Sequence, residues 1–296
     1  MPLIAAERIV LWSPQGVLRC LDRKTGKELW SRDARVEFKA PDGYFGFGST
    51  PLLASVSDAE PGGTRVVVNV GAKGACVVAF ALADGKTLWQ AGDDAASYSA
   101  PILIPLAGKA RIVCVSRLKC LLIDPVTGTI VSEIPFGARG PTVNAATPVV
   151  VGDHLLLTAS YGVGAAWVKL SEDKLTLEWK DDDLLSSQYT TPIAHRGLLY
   201  GIHGRQDVGV AELRCVDPVA KKVLWKEEGF GTANMILADD KLIVVKTDGE
   251  GLLVEPTGER YKLLAKATLA DDIVQALSAY DDGRLFVRRR RPPAML

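Results

Sequence analysis

One segment of the sequence returns every few tens of residues, and this repetition constrains the fold more than any other feature. A short apolar strand, an Asp-x-x-Thr-Gly turn and a second strand ending in Trp occupy residues 18–30. Related segments return at 77–89, 121–132 and 213–225, of which 121–132 ends in Ser132 and not in Trp, and Trp179 closes another copy. Asp can bond its own backbone two residues on, and Gly accepts the left-handed conformation of a tight turn. Each copy therefore predicts an antiparallel β-hairpin.

A second signature precedes each hairpin and supplies two more strands. It consists of a small or hydroxyl residue, a proline, an apolar run, a turn and a β-branched strand. Its prolines are Pro51, Pro101, Pro148 and Pro192, at intervals of 50, 47 and 44 residues. Pro at the first position of a strand costs no ladder hydrogen bond, so these prolines mark strand starts.

Together the two signatures predict units of four short antiparallel strands. The units span about 2–48, 49–98, 99–145, 146–189, 190–232 and 233–276, and a partial copy follows at 277–296. Four-stranded units repeated at this period, without helical periodicity, are typical of a β-propeller. We therefore expect an all-β fold, a β-propeller of six to seven four-stranded antiparallel blades with an incomplete last blade. We expect it to form a single domain over residues 1–296.

Charge and composition exclude several classes of function. The 35 basic and 35 acidic residues cancel, which argues against binding nucleic acid or an anionic membrane through bulk charge. No apolar run reaches the roughly 18 residues of a transmembrane helix. The first eight residues lack the basic and apolar regions of a secretory signal, so the chain as written is expected in the cytoplasm. The protein is also expected to be a monomer. The five cysteines lie in strand-like segments without metal-binding spacing and are expected to be buried free thiols.

The repeat resembles that of a known family. Residues 18–30, their copies and the Ser-x-Pro strand openings are similar to the PQQ-like (quinoprotein alcohol dehydrogenase-like) repeat over nearly the full length. In that family the recurrent Trp docks between neighbouring blades. The resemblance implies this role for Trp30, Trp89, Trp179 and Trp225. Trp12 and Trp167 lie outside the pattern. Family members are often periplasmic.

Two branches of this family imply two different functions. Relatives that bind pyrroloquinoline quinone (PQQ) use a disulfide between adjacent cysteines, a stacking Trp, an Arg near the quinone oxygens and a bound calcium ion. This sequence has no adjacent cysteines. The other branch resembles the periplasmic lipoprotein of the outer-membrane assembly machinery and uses the repeat as a protein-binding scaffold without a cofactor. The resemblance favours a non-catalytic binding or scaffold propeller, and the alternative is an alcohol or sugar dehydrogenase that depends on PQQ and calcium.

Polar and aromatic residues just before the innermost strands are the candidate ligand contacts. In a propeller these positions converge on one mouth of the central channel, where a protein or a small ligand can bind. The alternative is that they only satisfy backbone groups at strand starts. The predicted site comprises Ser49, Tyr98, Asn144, Gln188, Tyr189 and Asn234, together with His203 and Arg205 from a glycine-flanked loop. No catalytic or metal-ligating residue is predicted.

Other charged groups have a structural interpretation. Asp93 and Asp94 lack the Asp-x-Asp-x-Asp-Gly order of a calcium loop, so solvated loop carboxylates are expected. His154 and His195 are expected at the surface, in turns between strands. The four arginines at 288–291 are expected to form a solvated tail.

Overall fold

Antiparallel strands make up almost all of the regular structure. The computed structural model describes residues 2–43, 46–55, 63–140 and 142–290. Within these ranges the strands form six four-stranded sheets and one two-stranded sheet, and the strand order within each sheet follows the chain. Within the described ranges there is one short helix, α1 (Ala34–Glu37), whose Val36 N–H is capped by the Asp33 carboxylate at 3.0 Å.

The first three sheets are formed as follows. Sheet 1 contains β1 (Leu3–Ala5), β2 (Arg8–Trp12), β3 (Val17–Asp22) and β4 (Glu28–Asp33). Sheet 2 contains β5 (Leu52–Ala54), β6 (Arg65–Ala72), β7 (Ala75–Ala81) and β8 (Thr87–Ala91). Sheet 3 contains β9 (Ile102–Leu106), β10 (Lys109–Val115), β11 (Lys119–Ile123) and β12 (Ile130–Pro135).

The remaining sheets repeat this arrangement, and the last is partial. Sheet 4 contains β13 (Val149–Val151), β14 (His154–Ala159), β15 (Gly164–Ser171) and β16 (Lys174–Asp181). Sheet 5 contains β17 (Ile193–His195), β18 (Leu198–Arg205), β19 (Val210–Asp217) and β20 (Lys222–Glu227). Sheet 6 contains β21 (Ala233–Ala238), β22 (Lys241–Lys246), β23 (Glu250–Val254) and β24 (Leu263–Thr268), and sheet 7 contains β25 (Ala279–Asp281) and β26 (Arg284–Phe286).

The architecture confirms the predicted fold class, an all-β propeller with six complete blades and an incomplete last one. Each of the four signature prolines lies immediately before the first strand of its sheet. The Asp turns also form as expected. The Asp22 carboxylate accepts hydrogen bonds from the backbone N–H groups of Lys24 and Thr25 at 3.1 and 2.7 Å, and Gly26 follows with a φ of 71°.

An irregularity that the sequence patterns did not predict recurs beside these turns. The pairing of the third and fourth strands shifts register at the equivalent place in five sheets, the signature of a β-bulge. The shifts fall at Cys20/Leu21, Ala79/Phe80, Leu122/Ile123, Cys215/Val216 and Leu253/Val254. In three of these sheets the residue that pairs just before the shift is a signature Trp.

These tryptophans dock on the following sheet, as the resemblance implied. The indole N–H groups of Trp30, Trp89 and Trp225 donate to the main-chain carbonyls of Leu82, Pro125 and Thr257, at 3.0, 3.0 and 2.7 Å. Trp179 stacks on Trp167, with ring centroids 6.0 Å apart. Trp12, which lies outside the pattern, packs edge-on against Phe47 at 5.2 Å.

The chain forms two compact units that divide between Lys180 and Asp181. In the first unit, buried apolar side chains from consecutive sheets form three clusters, which contain for example Phe80, Leu121 and Leu157. The second unit has its own cluster, around Tyr200, Leu213 and Val244. Each unit therefore builds its core where the faces of successive sheets meet, because the inner strands are apolar on both faces.

Candidate functional site

A cleft of about 120 Å³ opens in the first unit, where three loops meet strand ends. The loops follow α1, precede β9 and precede β13. The apolar part of the lining includes Pro41, Phe47, Val70, Ala95, Ala96 and Val143. The polar part includes Asp42, Ser97, Tyr98, Arg117, Thr142 and Asn144.

Two of the predicted contact residues, Tyr98 and Asn144, line this cleft together. The backbone N–H groups of Tyr98 and Ser99 donate to the Asn144 carbonyl at 2.9 and 3.1 Å. The Asn144 side-chain amide donates in turn to the carbonyls of Ser116 and Arg117 at 2.9 and 3.0 Å. Asn144 is only 1% exposed, so it joins two loops and a strand turn at the base of the cleft.

Gly48, which precedes Ser49, leaves room for the Tyr98 ring. A Cβ on Gly48 would lie 2.6 Å from the Tyr98 ring, so only glycine leaves room for the aromatic side chain there. Ser49 itself is 4% exposed and lies outside the cleft lining. Its hydroxyl has no hydrogen-bond partner among the described residues. The structure therefore separates Ser49 from the two residues that face the cleft.

Arg117 lines the same cleft, and the sequence patterns did not predict it. Its guanidinium donates to Thr142 Oγ1 at 2.9 Å and to the carbonyls of Thr142 and Gly140. Its backbone N–H donates to the Ala95 carbonyl at 2.9 Å. Arg117 lies in the turn between β10 and β11, outside the strand-start positions, so the repeat alone gave no signal for it.

Asp93 and Asp94 are structural rather than simply solvated. One Asp94 carboxylate oxygen accepts from the Ser116 hydroxyl and from the Leu118 N–H, both at 2.6 Å. Asp93 accepts from the Gly74 N–H at 2.8 Å. These bonds hold the loop before β9 against neighbouring turns, which corrects the expectation for Asp94.

In the second unit, three predicted residues share one network at a loop tip. Gln188 accepts from the Gln206 N–H at 2.9 Å and donates to Asp207 at 3.1 Å. Arg205 Nε donates to the same Asp207 carboxylate at 3.0 Å. The Tyr189 hydroxyl bonds to the Gln206 side chain. The Arg205 charge is therefore balanced by a neighbouring carboxylate.

The other two predicted residues of this unit bond to main-chain groups. His203 Nδ1 accepts from the Ser186 N–H at 3.0 Å, and burial lowers the pKa of its imidazole. Asn234 lies within β21, not before it, and its amide donates to the Gln275 carbonyl at 3.4 Å.

Two histidines that were expected at the surface are largely buried. The His154 ring stacks on Trp167 with centroids 4.8 Å apart, and its nitrogens lie 2.7 Å from Asp153 and 3.1 Å from Glu178. The His195 side chain is only 10% exposed. Both expectations are therefore corrected, and for His154 the cause is aromatic packing that a turn position does not reveal.

The PQQ and calcium alternative would draw on thiols and on metal-ligating side chains. Among the described residues, no group of three or more His, Cys, Asp or Glu side chains could hold a metal ion. The five cysteines are free and buried, as predicted. Burial raises the pKa of Cys76 and Cys120 to about 12 and that of Cys215 to about 11. These thiols are therefore protonated and unreactive at neutral pH.

The arginine run is partly anchored. Arg289 contacts Asp271 at 2.7 Å, and the Arg290 N–H donates to the Ile273 carbonyl at 3.0 Å. The side chains at 288–290 are exposed, as expected of a solvated tail, but these two contacts hold the segment to the loop before β25, and Arg291 lies outside the described residues. No helix in the described part of the chain is long and apolar enough to cross a membrane.

A family model and a curated relative that match this chain carry the same description. A family model described as "Outer membrane protein assembly factor BamB" matches residues 1–227. A protein of that description from Salmonella typhimurium (strain LT2) is 24% identical over 298 residues, covering 93% of this chain and 72% of the relative.

Two solved structures share the fold. The crystal structure of BamB from Moraxella catarrhalis aligns with a TM-score of 0.67 at 16% identity, over 96% of this chain and 79% of that chain. A europium-containing methanol dehydrogenase aligns with a TM-score of 0.63 at 11% identity, over 91% and 68%. At these identities the likeness supports the propeller fold and carries no chemistry from either protein.

Proposed function

The chain belongs to the family described as outer membrane protein assembly factor BamB, and from this premise we propose that it is a non-catalytic propeller that binds a protein partner. The family description is that of an assembly factor.

The observation that carries this proposal is the cleft of the first unit. Tyr98 offers an aromatic ring at its wall, and Asn144 fixes the loops around it from below. Aromatic side chains in concave, largely apolar surroundings are frequent centres of protein recognition. The predicted residues of the second unit remain further candidates, because Tyr189 exposes 40% of its surface at the loop tip.

The family description also bears on the compartment. It names outer membrane protein assembly, which does not fit the expected cytoplasmic location. We therefore propose that the protein acts at the outer membrane, on its periplasmic side. Separation of membrane, periplasmic and cytoplasmic fractions of the native cells, followed by immunoblotting, tests this placement. Recovery in the cytoplasmic fraction alone contradicts it.

Site-specific photo-cross-linking tests the binding role. A benzoylphenylalanine placed at Tyr98 in the native cells should form a discrete adduct with a component of outer-membrane protein assembly, identified by mass spectrometry. The matched control carries the same group at Ile4, an apolar side chain of the same unit that is 60% exposed and outside the cleft. Absence of adducts at position 98, or the same adducts from both positions, contradicts the proposal.

A further inference from the structure

We propose that the cleft of the first unit binds a carboxylate attached to an apolar group about the size of one side chain. This inference rests on the proposed binding function and specifies the chemistry that the cleft recognises. It depends on two features, the uncompensated charge of Arg117 and the size and polarity of the cleft wall.

The charge of Arg117 is met only by neutral groups. Its guanidinium contacts a hydroxyl and two main-chain carbonyls, and no carboxylate of the described chain lies within 4.0 Å of it. Asp42, the acidic residue of the lining, pairs with Arg35 at 2.7 Å. The cleft therefore presents a positive charge that an anionic ligand can neutralise.

The Arg117 guanidinium is held in place by some of its N–H groups, and others are left to donate to a ligand. An arginine has five N–H groups in a fixed planar fork. The two Nη1 hydrogens are directed at the carbonyl and the hydroxyl of Thr142, and one Nη2 hydrogen at the Gly140 carbonyl. The Nε hydrogen and the second Nη2 hydrogen remain, and these two donors suit the two oxygens of a carboxylate. Because the side chain is already fixed, binding costs little additional ordering.

The wall of the cleft selects the group that carries the carboxylate. Phe47, Val70 and Val143 supply apolar surface next to the Tyr98 ring. The volume is about 120 Å³, and an apolar cavity of about 150 Å³ accommodates one benzene ring. The cleft is therefore of a size for a single branched aliphatic side chain and not for a large polycyclic ligand.

Two sources provide this chemistry, the C-terminal residue of a polypeptide and a small free acid. We would titrate the purified full chain with N-acetyl-leucine and with its amide, using isothermal calorimetry. The second pair of probes is one hexapeptide ending in Leu, prepared with a free C-terminus and with an amidated C-terminus. Each amidated probe keeps the apolar group and removes the charge, so each pair isolates the contribution of the carboxylate.

We expect each free acid that binds to do so at least about tenfold more tightly than its amide, because hydrogen bonds to a charged group contribute more than neutral ones. Arg117→Gln should abolish this preference. Val143→Phe should fill the cleft and weaken both members of a pair while leaving the guanidinium and its bonds intact. Arg19→Gln is the matched control, since Arg19 is exposed on sheet 1 and should bind like the unaltered protein.

The outcomes separate the possibilities. Tight binding of the free peptide alone supports a polypeptide C-terminus, and binding of N-acetyl-leucine as well supports a small acid as an additional source. Equal affinity for acid and amide, no binding of any probe, or an unchanged preference in a folded Arg117→Gln protein overturns the inference. In each of these cases an adduct from position 98 would leave the broader binding function standing.

Discussion

Arg111 shows how a single buried charge joins two turns of the first unit. The side chain is 6% exposed and lies between two carboxylates. It contacts Asp173 at 2.6 Å and Asp124 at 3.1 Å. Asp124 belongs to the Asp turn of sheet 3, and Asp173 lies in the turn between β15 and β16 of sheet 4. Because both partners are acidic, the buried guanidinium is fully compensated, unlike Arg117.

This pairing predicts a pH dependence of stability. The hydrogen bond from Arg111 lowers the pKa of Asp173 below its ordinary value of 3.8. The folded state therefore gains stability from the Asp173 charge above pH 3.8 and loses that gain as the pH falls through the lowered pKa.

Asp173→Asn tests this dependence. The free energy of unfolding, measured by urea titration at several pH values, should be lower for the variant at neutral pH. The difference from the unaltered protein should shrink as the pH falls below 3.8. Asp42→Asn serves as a control, because its carboxylate is 76% exposed. A difference that stays constant down to the lowest pH would contradict the assignment.

At the scale of elements, the Asp turn of one blade packs against the signature Trp of the blade before it, as sheets 2 and 3 show. Gly128 closes the turn of sheet 3 with a φ of 74° and lies under the Trp89 ring of sheet 2. A Cβ at this position would lie 2.7 Å from the indole. The glycine therefore meets two requirements at once, a left-handed backbone and close approach of an aromatic ring.

Comparison of two alanine substitutions separates these requirements. Gly108 has nearly the same φ, 76°, and no atom within 4 Å of an added Cβ. Gly108→Ala should cost only the left-handed backbone strain, roughly 1–2 kcal/mol. Gly128→Ala should cost about 1–3 kcal/mol more, because the indole must move. Urea unfolding curves would measure both, and equal losses would argue against the importance of the tryptophan contact.

The elements themselves were predictable because their signals are local. Pro51 and its three equivalents stand directly before strands, and the Asp and Gly positions fix the turns within a few residues. The bulges, the burial of His154 and the role of Arg117 were not predictable. Each of these depends on partners distant in sequence, such as Trp167 for His154 and Thr142 for Arg117.

On the scale of the whole molecule, the cysteines report on the integrity of the core. All five are buried, and they are distributed over sheets 1, 2, 3 and 5. Desolvation raises the pKa of each thiol. Both access and thiolate formation are therefore suppressed while the sheets remain packed.

The native protein should accordingly resist a thiol reagent such as Ellman's reagent at about pH 8, near the ordinary cysteine pKa. Addition of denaturant should release all five thiols. The number of thiols released, plotted against denaturant concentration, should follow the same transition as the tryptophan fluorescence of the protein. Rapid labelling of one or more thiols in the native protein would show that a sheet opens without global unfolding.

The candidate site was only partly accessible to sequence reasoning. Tyr98 and Asn144 were predicted from their place before inner strands, and the structure brings them to one cleft. Ser49, by contrast, occupies the same kind of position but is buried outside the lining. A repeat gives the position of a residue along its unit, but the direction of each side chain depends on local packing, as the contact of Gly48 with Tyr98 illustrates.

The tryptophan docking has a consequence for how such a chain evolves. The acceptors of the three indole N–H groups are main-chain carbonyls, and the residues that carry them are Leu82, Pro125 and Thr257. These side chains share neither size nor polarity, so the acceptor does not depend on which side chain the residue carries. A unit added by gene duplication can therefore form this hydrogen bond with its neighbour from the start. The copies can then diverge in sequence until only the turn and the Trp still show their common origin.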